Sequence, residues 1–132
     1  MKKLFLLICL LATITVAQAE VIKLQATSYA YKYQNDYGYW TDWTDWEYTS
    51  VLIVVNTDNN RINIYSNTPQ EYDIYDYGRT HYDDDGGETT TLKCIDADGL
   101  RCEVRIRVER NGNRQLYIDY NDAMWVYNIV NK

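Results

Sequence analysis

From Cys102 the chain alternates without a break: Val104, Ile106 and Val108 fall on one side of an extended backbone, and Glu103, Arg105, Arg107 and Glu109 on the other. A two-residue period of this kind belongs to a strand with one face buried and one face wet. Leu116, Ile118 and Tyr120 continue the pattern on a following segment, and Ile62 and Ile64 on an earlier one. The run Val51 to Val55 is apolar on both faces, which places it centrally or under a cover.

No long stretch has the helical period. Short groups of β-branched and aromatic residues are separated by Asn, Asp and Gly, and strands are expected near Val21 to Tyr33, Tyr48 to Asn56, Arg61 to Ser66, Tyr72 to Tyr77, Thr89 to Asp96, Arg101 to Arg110, Arg114 to Tyr120 and Met124 to Val130. Arg110-Asn111-Gly112-Asn113 reads as a two-residue type I′ hairpin, and Ala97-Asp98-Gly99 as a three-residue loop with glycine in the left-handed region. About eight strands joined mostly by hairpins make an antiparallel meander. Closure into a small or flattened, lipocalin-like β-barrel removes the exposed edges; a two-sheet β-sandwich is the alternative.

The opening MKKLFLLICLLATITVAQA has Lys2 and Lys3, an apolar stretch from Leu4 to about Leu11, and Ala17 and Ala19 before Glu20. This is the pattern of a secretory signal peptide over residues 1–19. Thr13, Thr15 and Gln18 interrupt the run too early for a membrane span. A single domain over 20–132 is then expected outside the cytoplasm, periplasmic or secreted, with no membrane insertion once the signal is removed. Loss of Lys2 and Lys3 leaves 11 basic against 19 acidic residues, a formal charge of −8, which argues against nucleic acid as a partner. Cys94 and Cys102 are the only cysteines beyond the signal. The Ala97-Asp98-Gly99 turn sets them opposite one another, and a disulfide holding one hairpin is expected.

The densest feature is aromatic. Tyr29, Tyr31, Tyr33, Tyr37, Tyr39, Trp40, Trp43, Trp46 and Tyr48 crowd one segment, with Trp40-Thr41-Asp42 followed at once by Trp43-Thr44-Asp45. Such rings either close one end of the barrel or form a platform for a sugar or other planar ligand. On the second reading Tyr39, Trp40, Asp42, Trp43, Asp45 and Trp46 are the candidate ligand-binding residues, the two carboxylates accepting hydrogen bonds from hydroxyls. A tryptophan spacing of three cannot hold one face of a regular strand, so a bend or bulge is expected here. Strict alternation from Ile22, Leu24 and Ala26 sets Tyr29, Tyr31 and Tyr33 outward.

Chemistry-bearing motifs are few. The acidic groups at Asp73, Asp76, Asp83, Asp84, Asp85 and Glu88 do not follow a calcium-loop spacing, and no metal or cofactor is expected. His81 is the one histidine, and no serine sits in a nucleophile-elbow context, so no catalytic residue is assigned.

The Gly38-Tyr39-Trp40 triplet resembles the Gly-x-Trp of lipocalins, although it follows a long strand where that motif sits near the start of the first one. The Trp-Thr-Asp-Trp segment, Ile62-Asn63-Ile64-Tyr65-Ser66, Pro69-Gln70-Glu71-Tyr72, the Cys94 to Cys102 hairpin and Tyr117-Ile118-Asp119-Tyr120 together resemble small exported β-proteins of gut Bacteroidetes. That resemblance implies export and no particular activity. The functional expectation is a non-enzymatic binding domain, its ligand a glycan or small apolar molecule at an aromatic barrel end. A protein-interaction or inhibitor-like module engaging an extracytoplasmic protein is the alternative, and a hydrolase ranks third.

Overall fold

Eight strands form in chain order: β1 (Val21–Tyr33), β2 (Glu47–Asn56), β3 (Arg61–Ile64), β4 (Gln70–Tyr82), β5 (Glu88–Asp96), β6 (Arg101–Val108), β7 (Arg114–Asp119) and β8 (Ala123–Asn131). This computed structural model describes residues 20–132; the expected signal peptide lies outside the described residues. Each strand pairs antiparallel with its chain neighbours, and β8 returns to β1, closing the barrel. The sandwich alternative is thereby excluded. Closure depends on the length of β1: Val21 to Tyr29 pairs with β2, from Val21 opposite Asn56, while Leu24 to Tyr33 pairs with β8.

The alternating apolar residues fill the interior. Leu24, Ile53, Val55, Ile62, Ile64, Leu92, Val104, Ile106 and Leu116 are fully buried. An eight-stranded barrel is just wide enough for side chains to fill it, or to keep room for one small ligand. In this up-and-down topology the connections at 34–46, 65–69, 97–100 and 120–122 share one end, and those at 57–60, 83–87 and 109–113 share the other. Tyr77 plugs the latter end, packing on the core while its hydroxyl donates to Asn60 Oδ1 at 2.8 Å.

Four connections use one turn. In each, an amide reaches across three residues to the carbonyl of the residue after glycine, and the glycine amide returns to the first carbonyl: Asn35 with Tyr39, Asp83 with Gly87, Asp96 with Leu100, and Glu109 with Asn113. The third loop position requires positive φ, and glycine holds it in all four, as at Gly99 (φ 84°) and Gly112 (φ 89°). The Ala97-Asp98-Gly99 expectation is met. The type I′ reading of Asn111-Gly112 is corrected: a type I′ turn needs positive φ at both central residues, and Asn111 does not adopt it. Its carboxamide oxygen instead accepts the Asn113 amide at 3.0 Å.

Strand β4 is longer than its pattern implied, because two bulges, between Ile74 and Asp76 and between Tyr77 and Thr80, break its alternation while pairing with β5 continues to Tyr82. A bulge in β1 has a larger consequence. Pairing slips between Ala26 and Ser28 on both sides of the strand, and the extra residue, Thr27, exchanges the two faces. Ser28 then points out, its hydroxyl accepting from Asn128 Nδ2 at 2.8 Å. Tyr29 instead meets Tyr127, and Tyr31 meets Trp125, with ring centroids 6.3 and 6.4 Å apart. The expectation of an outward row is overturned for Tyr29, which joins the cavity lining, while Tyr31 and Tyr33 are exposed.

Cys94 and Cys102 are register partners, as expected, yet both are free thiols and the expected disulfide is not formed. The Asp96 amide to Leu100 carbonyl bond closes the turn, and alternation from it makes Cys94 and Cys102 a hydrogen-bonded pair, about 5.5 Å between Cα atoms, a spacing that a cystine also spans. Burial pushes the Cys94 thiol up to about 12 and the Cys102 thiol up to about 11.

Candidate functional site

At the end holding the 65–69, 97–100 and 120–122 connections the barrel is open, and a cavity of about 790 Å³ enters it. Its size falls in the range of sites for drug-sized ligands. Tyr72 and Tyr127, 4 % and 5 % exposed, lie deep in it. Tyr29, Tyr65, Tyr120 and Trp125 supply the other four rings. The Thr27 bulge brings Tyr29 into this lining, and Tyr120 meets Trp125 edge-on at 6.2 Å.

The polar atoms among these rings are tied together. Tyr72 hydroxyl donates to Gln70 Oε1 at 2.6 Å, and Gln70 Nε2 reaches Ser66 Oγ at 3.2 Å and the Tyr127 hydroxyl at 3.3 Å. Ser66 Oγ in turn donates to the Thr68 carbonyl at 2.7 Å. On the opposite wall Tyr120 hydroxyl donates to Asp96 Oδ2 at 2.7 Å, while Asp96 Oδ1 accepts the amides of Leu100 at 2.8 Å and Asp98 at 3.0 Å. Desolvation works to raise the Asp96 carboxyl, but the Tyr120 hydroxyl and the turn amides outweigh it and hold the group below its ordinary value. Burial, with the bond to Asp96 second, raises the Tyr120 hydroxyl well above the usual tyrosine range, and burial raises Tyr72 likewise.

Charge in the lining has a single sign. Glu71, Asp96, Asp98 and Asp122 line the cavity and no Lys, Arg or His does. Glu71 is paired with Arg61 at 3.4 Å. The ion pairs of Arg61 with Asp73, Arg105 with Asp119 and Arg107 with Asp83 do not involve the three aspartates of the mouth.

None of Tyr39, Trp40, Asp42, Trp43, Asp45 or Trp46, the residues expected to bind ligand, lines this cavity. The segment bends, as its spacing required, and runs outside β1. Thr41 and Thr44 act alike: the Thr41 amide donates to the Tyr33 carbonyl at 2.8 Å while its hydroxyl accepts the Tyr33 amide at 3.1 Å, and Thr44 clamps Tyr31 in the same way at 2.9 and 3.0 Å. A three-residue repeat thus matches the two-residue period of β1. The Lys32 ammonium sits 5.3 Å from the Trp40 ring and 4.9 Å from the Trp43 ring. Trp43 meets Tyr117 edge-on at 6.4 Å, and the Arg105 guanidinium lies 4.2 Å from the other partner, Tyr117.

Beneath this ladder are Ala30 and Val126, register partners on the outer face, 2 % and 3 % exposed and separate from the main core. The repeat therefore covers a second, external apolar cluster. Asp42, Asp45, Tyr39 and Trp46 are exposed, and Trp40 and Trp43 keep 39 % of their surface in solvent.

The mouth residues had a weaker sequence signal. Tyr65, Tyr72, Tyr120, Trp125 and Tyr127 are scattered over four regions of the chain, and only the barrel topology gathers them. In the sequence Asp96 is marked only as an acidic residue, with Asp98, of an x-x-Gly hairpin turn. At the other end of the barrel, Asp83 engages Arg107, and no set of three or more His, Cys, Asp or Glu side chains is assembled for a metal among the described residues. His81 is exposed at the end of β4. No family model matches the chain, and neither the curated proteins nor the solved structures compared with it yield a match.

Proposed function

We propose that this protein is an exported, non-enzymatic binding domain that takes a small ring-bearing molecule, a sugar unit or a compact apolar compound, into the mouth of its barrel. The observation that carries this reading is the 790 Å³ cavity lined by six aromatic rings, two of them nearly buried. Flat rings offer apolar area at little entropic cost, and the surrounding oxygens fix orientation. Export is supported by the leader-like opening, with its two lysines, apolar run and small residues before Glu20. The outward row of Lys93, Glu103, Arg105 and Arg107 is a water-facing surface and lacks the apolar band of a membrane barrel.

Tryptophan fluorescence titrated with a panel of saccharides and small aromatic or aliphatic compounds tests the reading. Trp125 lines the mouth, whereas Trp40, Trp43 and Trp46 lie outside it. A response is expected that disappears in Trp125→Phe and persists in Trp46→Phe. Silence across the panel, or a response that survives Trp125→Phe and is lost with Trp46→Phe, would sink it.

A second reading has its own observation. Tyr37 and Tyr48 are 86 % and 97 % exposed beside the tryptophan ladder, and exposed tyrosine is a common protein-contact residue. A partner recovered from the extracytoplasmic fraction by wild type and lost with Tyr37→Ser and Tyr48→Ser would favour that reading.

A further inference from the structure

We infer that the mouth selects a positively charged ligand, an organic amine or quaternary ammonium carried on a ring or short apolar body, over neutral and anionic molecules of the same shape. This inference rests on the reading of the mouth as a ligand site and assigns the ligand's charge.

The first argument is the balance of donors and acceptors. A neutral sugar needs both from its site. Gln70 Nε2 and the Tyr72, Tyr120 and Ser66 hydroxyls are directed at other groups of the lining, while the Tyr127 hydroxyl, which accepts from Gln70, keeps its own proton for a ligand. What the mouth holds in surplus is negative charge on Asp96, Asp98 and Asp122 with no cation in the lining. Asp96 receives hydrogen bonds from neutral groups alone, which leave its charge in place, and Asp98 and Asp122 stand exposed at the rim. A ligand that brings N–H donors or a fixed positive charge complements this surplus, and one bringing a carboxylate or phosphate opposes it.

The second argument is the rings. A cation over the face of Trp or Tyr is attracted by the ring quadrupole, more strongly where water is excluded. Trp125 and Tyr120 stand together at 6.2 Å, with Asp96 hydrogen-bonded to the Tyr120 hydroxyl. A bound ammonium group can therefore meet ring face and carboxylate at once. The outer surface shows that this chain uses the same chemistry internally, since Lys32 lies against Trp40 and Trp43. In the mouth there is no such side chain: no Lys or Arg lines the cavity. The third argument is the long-range field, since a formal charge of −8 without the leader draws cations and repels anions.

The test compares three probes of one shape on the mature protein: phenethylamine, phenethyl alcohol and phenylacetate, by calorimetry and by Trp125 fluorescence. The amine is expected to bind about tenfold or more tightly than the alcohol, the acid to give no signal, and added salt to shrink the difference. Asp96→Asn is expected to cut the amine's advantage and leave the alcohol unchanged. Asp98→Asn with Asp122→Asn, which changes only exposed rim groups, does the same if the first variant fails to fold. Equal binding of amine and alcohol, or an advantage untouched by these variants, would overturn the inference while leaving the mouth as a ligand site. Binding by none of the three probes and by no saccharide would remove both.

Discussion

The Tyr120 hydroxyl donates to Asp96 Oδ2 at 2.7 Å, joining the end of β7 to the end of β5 across the mouth of the barrel. The bond fixes one wall of the cavity and helps hold the Asp96 carboxyl below its ordinary value. A carboxyl depressed in the folded state stabilises the fold above its unfolded value, about 3.9, and that contribution is lost as pH falls toward the folded value. Tyr120→Phe keeps the ring against Trp125 and removes the hydroxyl. Its expected cost is about 1 kcal/mol at neutral pH, with the Asp96 carboxyl moving up in an NMR titration. An unmoved Asp96 titration would show that the turn amides alone set it.

At the alkaline side the same region works in the opposite sense. Burial raises Tyr72 and Tyr120 and takes Cys94 to about 12 and Cys102 to about 11. For these groups the folded state prefers the protonated form, so their contribution is complete below the unfolded values and declines as pH rises through about 9 to 10. Thermal midpoints are expected to be flat through neutrality and to fall above that window. Tyrosinate absorbance from the buried rings should appear together with the loss of strand signal. Ionisation of all fourteen tyrosines with the fold intact would contradict this.

The thiols make a separate prediction. Both are buried and strongly protonated at neutral pH, and the thiolate is the reactive form. A thiol reagent at pH 8 should leave the folded mature chain untouched and label two groups per chain in denaturant. A mass two hydrogens lower, with nothing labelled after unfolding, would mean that Cys94 and Cys102 are joined in the mature protein.

Much of the barrel is legible residue by residue. Glu103 to Val108 and Ile62 to Ile64 display the two-residue period because one face of each strand meets only core. The x-x-Gly loops announce their turns because a single backbone conformation is required there. What is hidden depends on insertions of one residue. Thr27 carries no mark of being a bulge, yet it turns Tyr29 from the outer face to the mouth. The candidate site is hidden in a similar way: the conspicuous Trp-Thr-Asp repeat lies outside the cavity, while the rings of the mouth come from separate strands and have no local pattern. Cys94 and Cys102 show a third limit: the turn fixes their register, and register alone does not decide whether two facing thiols are joined.

Gly78 marks a place where β4 and β5 come too close for any side chain. A Cβ there would lie 2.3 Å from the Thr91 carbonyl oxygen, between the register partners Tyr77 with Leu92 and Thr80 with Thr90. Backbone cannot move aside as a flexible side chain can, so Gly78→Ala should open the β4–β5 ladder at the bulge and cost roughly 2 to 4 kcal/mol. Gly38→Ala, whose Cβ meets nothing within 4 Å but whose φ is 82°, is the comparison. It should cost only the left-handed penalty, about 1 kcal/mol. Equal losses in urea unfolding would mean that the close approach at Gly78 relaxes freely.

Trp43 separates packing from binding. Its ring lies against Tyr117 and Lys32, over the outer face where Ala30 and Val126 are buried. Trp46 is 48 % exposed and makes no ring contact of this kind. If the repeat exists to cover the external cluster, Trp43→Ala should lower stability by about 1 to 3 kcal/mol, Trp46→Ala by a few tenths, and neither should alter binding in the mouth. Hydrogen exchange should quicken at Ala30 and Val126 in the first variant alone, since those amides lie in the β1–β8 ladder beneath the lost ring. If Trp43→Ala instead leaves stability unchanged and abolishes ligand binding, the tryptophan segment, and not the open end of the barrel, is the site.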